Sequence, residues 1–371
     1  MHQGPIEPVA AGVRLDRPEP DRKSARLADT PPGFTVFVDT EEEFDWSAPR
    51  VRDPAPVDAI QALPAAQSFF RARGVIPTYV IDYPVAATPA SAAVLRGFVE
   101  AGDAIVGAHL HPWVNPPHDE AVTTPNSFAG NLPIALERAK LATLTDAIER
   151  AVGTRPSVYR AGRYGVGPYS AALLEEAGYR MDASIRTHFD YRDEEGPDFT
   201  GADLDLFWAG PSASLLAFPL STAFTGALRG FGRTLFPLSA RVPMMRGALS
   251  RLHLLRRVPL TPEGTPLGEA IDAIGALLDD GVRQFSLSFH SPSIEPGHTP
   301  YVRDAADLRR FYAWWDGVFD AFAARGVSPT TPDALVAAAW RERLADGQGA
   351  RPEACHRAPA SANAEAAHRG L

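Results

Sequence analysis

Ten histidines are spread over 371 residues, and two of them, His109 and His111, stand two apart. In an extended chain, residues i and i+2 point to the same side. The run D-A-I-V-G-A-H-L-H-P-W at 103–113 therefore turns both imidazoles one way before Pro112 ends the strand. Two imidazoles at a strand end suit a divalent cation. An oxygen ligand is offered by F-T-V-F-V-D-T-E-E-E-F-D-W at 34–46, as either Glu41 or Asp39. Glu42, Glu43 and Asp45 crowd the same few residues, and carboxylates so close need a counter-charge. In an α/β protein, ligands bind beyond the carboxyl ends of buried strands. A cation there would acidify a water and polarise a carbonyl, which is hydrolytic chemistry.

Three further groups fit that chemistry. His290 closes the strand Q-F-S-L-S-F-H at 284–290 and could protonate a leaving group, its pKa being adjustable near neutrality. Arg160 and Arg163 flank a glycine-rich turn in Y-R-A-G-R-Y-G at 159–165, beside Tyr159 and Tyr164. An arginine next to a catalytic carboxylate keeps it ionised and in place. Asp182 sits inside the strand pattern Y-R-M-D-A-S, where a charge requires a partner, and His290 would serve. No G-x-S-x-G and no phosphate-binding loop points to another chemistry.

The elements that must hold these residues alternate. Buried strands are expected at 34–38, 75–81, 103–109, 157–160, 179–184 and 284–290. Helices are expected at 57–73, 89–101, 133–152, 168–177, 267–278 and 305–324, several of them closed by glycine. A last short strand and helix follow through 331–340. The alternation predicts βα units and a parallel sheet. Two more strands are expected at 206–208 and 215–218. Residues 1–30, polar and without periodicity, read as a disordered or loosely attached arm, and 344–371 as a disordered tail.

Composition narrows the function. The chain is 45% hydrophobic and 22% charged, with a net charge of -9, so bulk attraction to nucleic acid is not expected. The single Cys355 excludes an intrachain disulfide and a cysteine zinc site, so metal ligands must be His and carboxylate. No signal-peptide core and no membrane-spanning run is visible, and a cytoplasmic location is expected. From Leu206 to Pro262 there is no acidic residue, yet seven arginines stand among Phe, Leu and Met. That segment is expected to form short amphipathic helices inserted in the barrel. Its positive field would suit phosphates or an anionic membrane surface.

The ordered set V-D-T-E-E-E, G-A-H-L-H-P-W, Y-R-A-G-R-Y-G, M-D-A-S and L-S-F-H-S-P resembles the five motifs of the polysaccharide deacetylases. These are the NodB-homology carbohydrate esterases, and the closer likeness is to a WalW-like branch. The resemblance covers about residues 34–335. It implies a distorted (β/α) barrel of about seven strands and removal of acetyl from an N-acetylated sugar with the help of a divalent metal, zinc foremost. Carried over, Asp39 is the general base, and Glu41, His109 and His111 hold the metal. Arg160 orients the base, His290 is the general acid and Asp182 tunes it. Arg163, Tyr164 and Trp113 fall where substrate would bind. Two departures stand out: Asp39-Thr40-Glu41 replaces the family's adjacent Asp-Asp, and His109-Leu110-His111 replaces its His-x-x-x-His. His118 is the alternative ligand. Other readings are a hydrolase of a small non-sugar amide, since relatives open cyclic ureides, and a non-catalytic carbohydrate-binding barrel.

Overall fold

The apolar run expected as the first strand is buried along its whole length, on both faces, as a strand inside a parallel sheet must be. The structure, a computed structural model, describes residues 10–17, 22–25 and 27–347. The strands are β1 (Gly33–Thr40), β2 (Thr78–Ile81), β3 (Ile105–Leu110), β4 (Val158–Ala161), β5 (Met181–Asp182), β6 (Phe207–Ala209), β7 (Leu215–Ala217), β8 (Thr222–Thr225), β9 (Arg256–Pro259), β10 (Gln284–His290) and β11 (Ser328–Pro329). The helices are α1 (Leu63–Ala72), α2 (Tyr83–Ala87), α3 (Pro89–Glu100), α4 (Ile134–Val152), α5 (Ser170–Glu176), α6 (Gly232–Ser239), α7 (Met245–Arg251), α8 (Leu267–Asp279), α9 (Ala305–Ala323) and α10 (Pro332–Ala345).

The main sheet runs β10-β1-β2-β3-β4-β5-β7-β6, and every pairing from β10 to β7 is parallel. These seven parallel strands curl into a distorted (β/α) barrel. Closure between β7 and β10 is irregular. It runs through the Ser286 carbonyl, which accepts from the Ser221 N–H at 3.2 Å, and the Leu260 carbonyl, which accepts from the Ser288 N–H at 3.4 Å.

Strand alternation sorts the side chains into two shells. Phe37, Val80, Val158, Met181, Ala183 and Leu216 fill the interior, and Leu335, Val336 and Trp340 of α10 plug one end of it. Their neighbours Val36, Val38, Ile81 and Tyr159 pack outward under the helices. There α9 lays an aromatic face on the sheet, with Phe322 stacked on Phe34 at 4.8 Å and Trp315 edge-on to Phe289 at 5.5 Å. The interior is apolar at the α10 end, so the polar groups that share its phase collect at the strands' carboxyl ends.

Two expectations change in detail. The acid-free segment is only partly helical: β6 and β7 belong to the main sheet, β8 and β9 form an antiparallel pair, and α6 and α7 fill the loop between them. In the N-terminal arm, Val13 bridges Gly210, Ser24 bridges Phe207 and Leu15 is buried, so residues 10–17 and 22–25 lie along the β6 edge. That edge offers unpaired backbone groups, and the arm covers them. The tail beyond 347 lies outside the described residues. Among the described residues no helix is long and apolar enough to cross a membrane.

Candidate active site

Register alone places the chemistry. Asp39 is the cross-strand partner of His290, and His109 is the partner of Arg160. All four lie at or next to the carboxyl ends of parallel strands. Curling of the sheet carries β3 toward β1 across β2. Glu41 Oε2 then lies 3.3 Å from His109 Nε2 and 3.4 Å from His111 Nε2. All three side chains are buried.

The imidazoles are held from behind. His109 Nδ1 is 3.0 Å from the Arg160 carbonyl, and His111 Nδ1 is 2.7 Å from Glu42 Oε2. With Nδ1 protonated to meet these acceptors, both Nε2 lone pairs face Glu41, the tautomer a metal ligand needs. Glu42 is itself fixed by the Trp113 indole N–H at 2.8 Å, and its backbone N–H donates to Asp82 at 2.7 Å. Lys140 donates to the carbonyls of Pro112, Asn115 and Pro117, pinning the loop that follows His111. Gly162 is required here for space: a Cβ would fall 2.3 Å from His111 Cδ2.

The donor set fits a divalent cation. One carboxylate and two neutral imidazoles are an ordinary zinc-type set. Glu41 Oε1 is buried without a hydrogen-bond partner. Burial pushes the Glu41 carboxyl up to about 7 against the pull of His290 and His109. Burial also pushes His111 down to about 3, so its ring is neutral. Glu41, His109 and His111 offer ligand atoms within 4.8 Å of one another. His118 is exposed and is not part of that group, so the alternative ligand is not brought to the site.

Asp39 and His290 flank this cluster. Arg160 Nη1 donates to Asp39 Oδ1 at 2.5 Å, and its Nε donates to the Ala183 carbonyl at 2.9 Å. Burial would raise the Asp39 carboxyl, but the Arg160 guanidinium, His109 and His290 together hold it below its ordinary value. His290 Nε2 is 3.8 Å from Asp39 Oδ2. Its Nδ1 is 2.7 Å from Glu263 Oε2, and Glu263 Oε1 accepts the His290 backbone N–H at 3.0 Å. Burial lowers the imidazolium, yet Glu263 and Glu41 outweigh it and push His290 up to about 10. The site thus sets an ionised carboxylate beside a protonated imidazole, their pKa values pushed apart by Arg160 on one side and Glu263 on the other.

Asp182 does not hold His290. It is one step out of phase with the inward Met181 and Ala183, and its carboxylate accepts the Ser184 hydroxyl at 2.6 Å and backbone N–H at 3.0 Å. The tuning carboxylate comes instead from Glu263, in the loop after β9. Trp113 lines the cavity, but its indole N–H is committed to Glu42 and its ring stacks on His111 at 4.3 Å. Arg163 lines it too, tied to Glu194 and, at 2.5 Å, to the Ser127 hydroxyl. Tyr164 stacks on Tyr191 at 5.9 Å in the same wall.

The cavity above these groups has a volume of about 190 Å³, smaller than the roughly 300–1,000 Å³ of sites for drug-sized ligands. It has room for one small substrate unit. Ser221, Thr222, Ser286 and Ser288 line one side, and Trp46 and Tyr301 another. Sequence reasoning missed Asp82, Glu263, Trp46, Arg50 and Arg186. Asp82 carried a signal, a carboxylate directly after a buried strand. Glu263 carried none, because the β8–β9 pair that delivers it is a long-range feature.

No protein-family model matches the chain, and no curated protein does. Among solved structures the chain is similar to a Mycobacterium smegmatis protein assigned as a polysaccharide deacetylase, at 18% identity over 93% of this chain and 100% of that one, TM-score 0.47. It is also similar to Puue allantoinase, at 14% identity over 90% and 100%, TM-score 0.47. A family 4 carbohydrate esterase from Streptomyces lividans, in complex with acetate, matches at 11% identity over 81% and 92%, TM-score 0.40.

Proposed function

We propose that the protein is a metal-dependent amide hydrolase that removes acetyl from a small N-acetylated sugar or sugar precursor. The observation that carries this reading is one cavity holding a His–His–Glu cluster, a carboxylate clamped by Arg160 and an imidazole clamped by Glu263. Glu41, His109 and His111 would hold the cation, zinc being the natural choice for that donor set. Once bound, it would supply a Lewis acid for the amide carbonyl and a lowered pKa for water. Asp39, kept ionised by Arg160, accepts the proton of the attacking water. His290, kept protonated by Glu263, donates a proton to the departing amine nitrogen. The serine and threonine hydroxyls suit sugar hydroxyls, and the Trp46 and Tyr301 rings suit a sugar face.

Metal analysis of the purified protein, followed by an acetate-release screen on N-acetyl sugars, tests the reading. We expect one equivalent of metal, and loss of metal and turnover together in His111→Ala. Full metal in that variant would sink the ligand assignment. Metal with turnover only on small non-sugar amides would move the substrate class, and metal with no turnover on any amide would leave a carbohydrate-binding barrel.

The reading includes a place of work, the cytoplasmic face of an anionic membrane. Among the described residues, six of the ten large hydrophobic residues that stand exposed lie between 231 and 252, led by Phe231 at 66%, Met244 at 89% and Leu252 at 67%. Arg233, Arg241, Arg246 and Arg251 are exposed among them, in the segment without acids. Arg256 and Arg257 are engaged within the protein instead. Arg256 pairs with Glu269, while Arg257 donates to the His188 carbonyl and stacks on Phe189. Apolar residues with arginines and no acids suit an anionic lipid interface. The protein should sediment with anionic but not neutral vesicles at low salt, and Arg233→Glu, Arg241→Glu and Arg251→Glu together should abolish it. Equal sedimentation of both proteins, or of neither, would refute the contact.

A further inference from the structure

The charges lining the cavity do not balance, and the surplus has a definite location. Two of the three carboxylates there are already paired with a cation, and the third faces two neutral imidazoles. Asp39 is clamped by Arg160, Glu263 by His290, and Glu41 belongs to the His–His–Glu cluster. Of the three arginines that line the cavity, Arg163 is neutralised by Glu194. Arg50 and Arg186 remain. Among the described residues neither has a carboxylate within ion-pair distance, and each is held by aromatic rings. Arg50 lies over Phe44 at 4.7 Å and over Trp113 at 5.8 Å, and its Nε is buried without a hydrogen-bond partner. Arg186 lies over Phe189 at 3.9 Å and over Tyr164 at 4.9 Å, and its Nη1 donates to the Tyr191 hydroxyl at 2.9 Å.

Ring stacking fixes the plane of a guanidinium but leaves its N–H edge free to donate. Withdrawing such a group from water without an anion costs stability unless something at the site uses it. A guanidinium edge is shaped to take two oxygens of a carboxylate or phosphate at once. We propose that Arg50 and Arg186 are the recognition groups for an anionic substituent on the substrate, so that the substrate is a small N-acetylated sugar carrying a carboxylate or phosphate. This rests on the hydrolase reading for what is cleaved, but not for what is bound.

Two measurements test it separately from the hydrolysis. In the first, the purified wild-type protein is titrated calorimetrically with glucose, glucuronate and glucose 6-phosphate, none of which has an amide to cleave. A charge-assisted hydrogen bond is worth enough to make the anionic sugars bind at least about tenfold more tightly than glucose. Arg186→Met and Arg50→Gln, each confirmed folded by circular dichroism, should each erase most of that preference, whereas Arg241→Gln on the outer surface should keep it. The two anionic sugars distinguish a carboxylate from a phosphate. In the second, kcat/KM for acetate release is compared between N-acetylglucosamine, its 6-phosphate and N-acetylmuramate. The charged-to-neutral ratio should exceed about ten in the wild type and fall toward one in either arginine variant.

Equal binding of glucose and both anions, or a preference that survives loss of both arginines, overturns the inference. Acetate release with no preference for charge overturns it while leaving the hydrolase reading intact. Anion binding that needs Arg50 and Arg186, without acetate release from any of the three, supports it and overturns the hydrolase reading instead.

Discussion

Replacing Glu263 by Gln keeps the length of the side chain and removes its charge. The carboxylate has Oε2 at 2.7 Å from His290 Nδ1, while Oε1 accepts the His290 backbone N–H at 3.0 Å and the Ser293 hydroxyl at 2.6 Å. The amide oxygen can take the place of Oε1 and accept from the His290 N–H and the Ser293 hydroxyl, so the local backbone should hold, while the amide NH2 then faces Nδ1 and offers it no acceptor. Opposing burial, Glu263 is the largest influence keeping His290 protonated, and its neighbours lift the imidazole to about 10. Removing an opposite charge at contact lowers a pKa by about 1–3 units, each worth about 1.4 kcal/mol. In the proposed reaction His290 is the proton donor, so a lower pKa means the imidazolium is lost at lower pH. The alkaline limb of kcat/KM for acetate release should therefore move down by about 1–3 pH units in Glu263→Gln. The difference between the two proteins is the readout, because a cation on Glu41 would lower both limbs alike. Asp182→Asn is the control and should leave the limb where it is, since Asp182 is bonded to Ser184 and faces away from the interior. An unmoved limb in Glu263→Gln, or an equal displacement in Asp182→Asn, would refute the assignment of Glu263 as the partner of the acid.

Asp39→Asn should keep the metal content of the wild type and lose on the order of 10²–10⁴ in kcat, because the ligands stay while the base is gone; retained turnover would remove Asp39 from proton transfer. Glu42→Gln should weaken metal binding by about 10–100-fold in a chelator competition, through loss of the carboxylate that orients His111 at 2.7 Å. Gly162→Ala should lower both metal affinity and thermal stability, by about 1–3 kcal/mol in unfolding measurements, because the added Cβ would press on the His111 ring. Normal stability and metal affinity in that variant would show that the ring is not held by this contact.

Local patterns of residue type settle those parts of the protein that depend on neighbours along the chain. The buried strand of 33–40 and the alternating strand of 284–290 are local patterns of apolar residues, and β10 has the bounds its pattern predicts. The pairing of His109 with His111 follows from the two-residue period of an extended chain, and Glu41 completes the same group in space. Other features needed the folded sheet. Nothing local shows that Asp182 is out of phase with the barrel interior, because β5 is only two residues long and its facing is set by β4 and β7. Glu263 reaches His290 only because β8 and β9 pair across a helical insertion and lay the following loop over the strand ends. Glu42 stands in a run of three glutamates whose types are identical. Which one joins His109 and His111, which one buttresses His111 from behind and which one accepts the Ala59 N–H at 2.6 Å is decided by the direction each side chain takes where the strand ends. Residue type and spacing name the chemistry at the end of a strand, but long-range pairing decides which charges meet there, since a carboxylate acts on an imidazole through a separation of a few ångströms that no local pattern encodes.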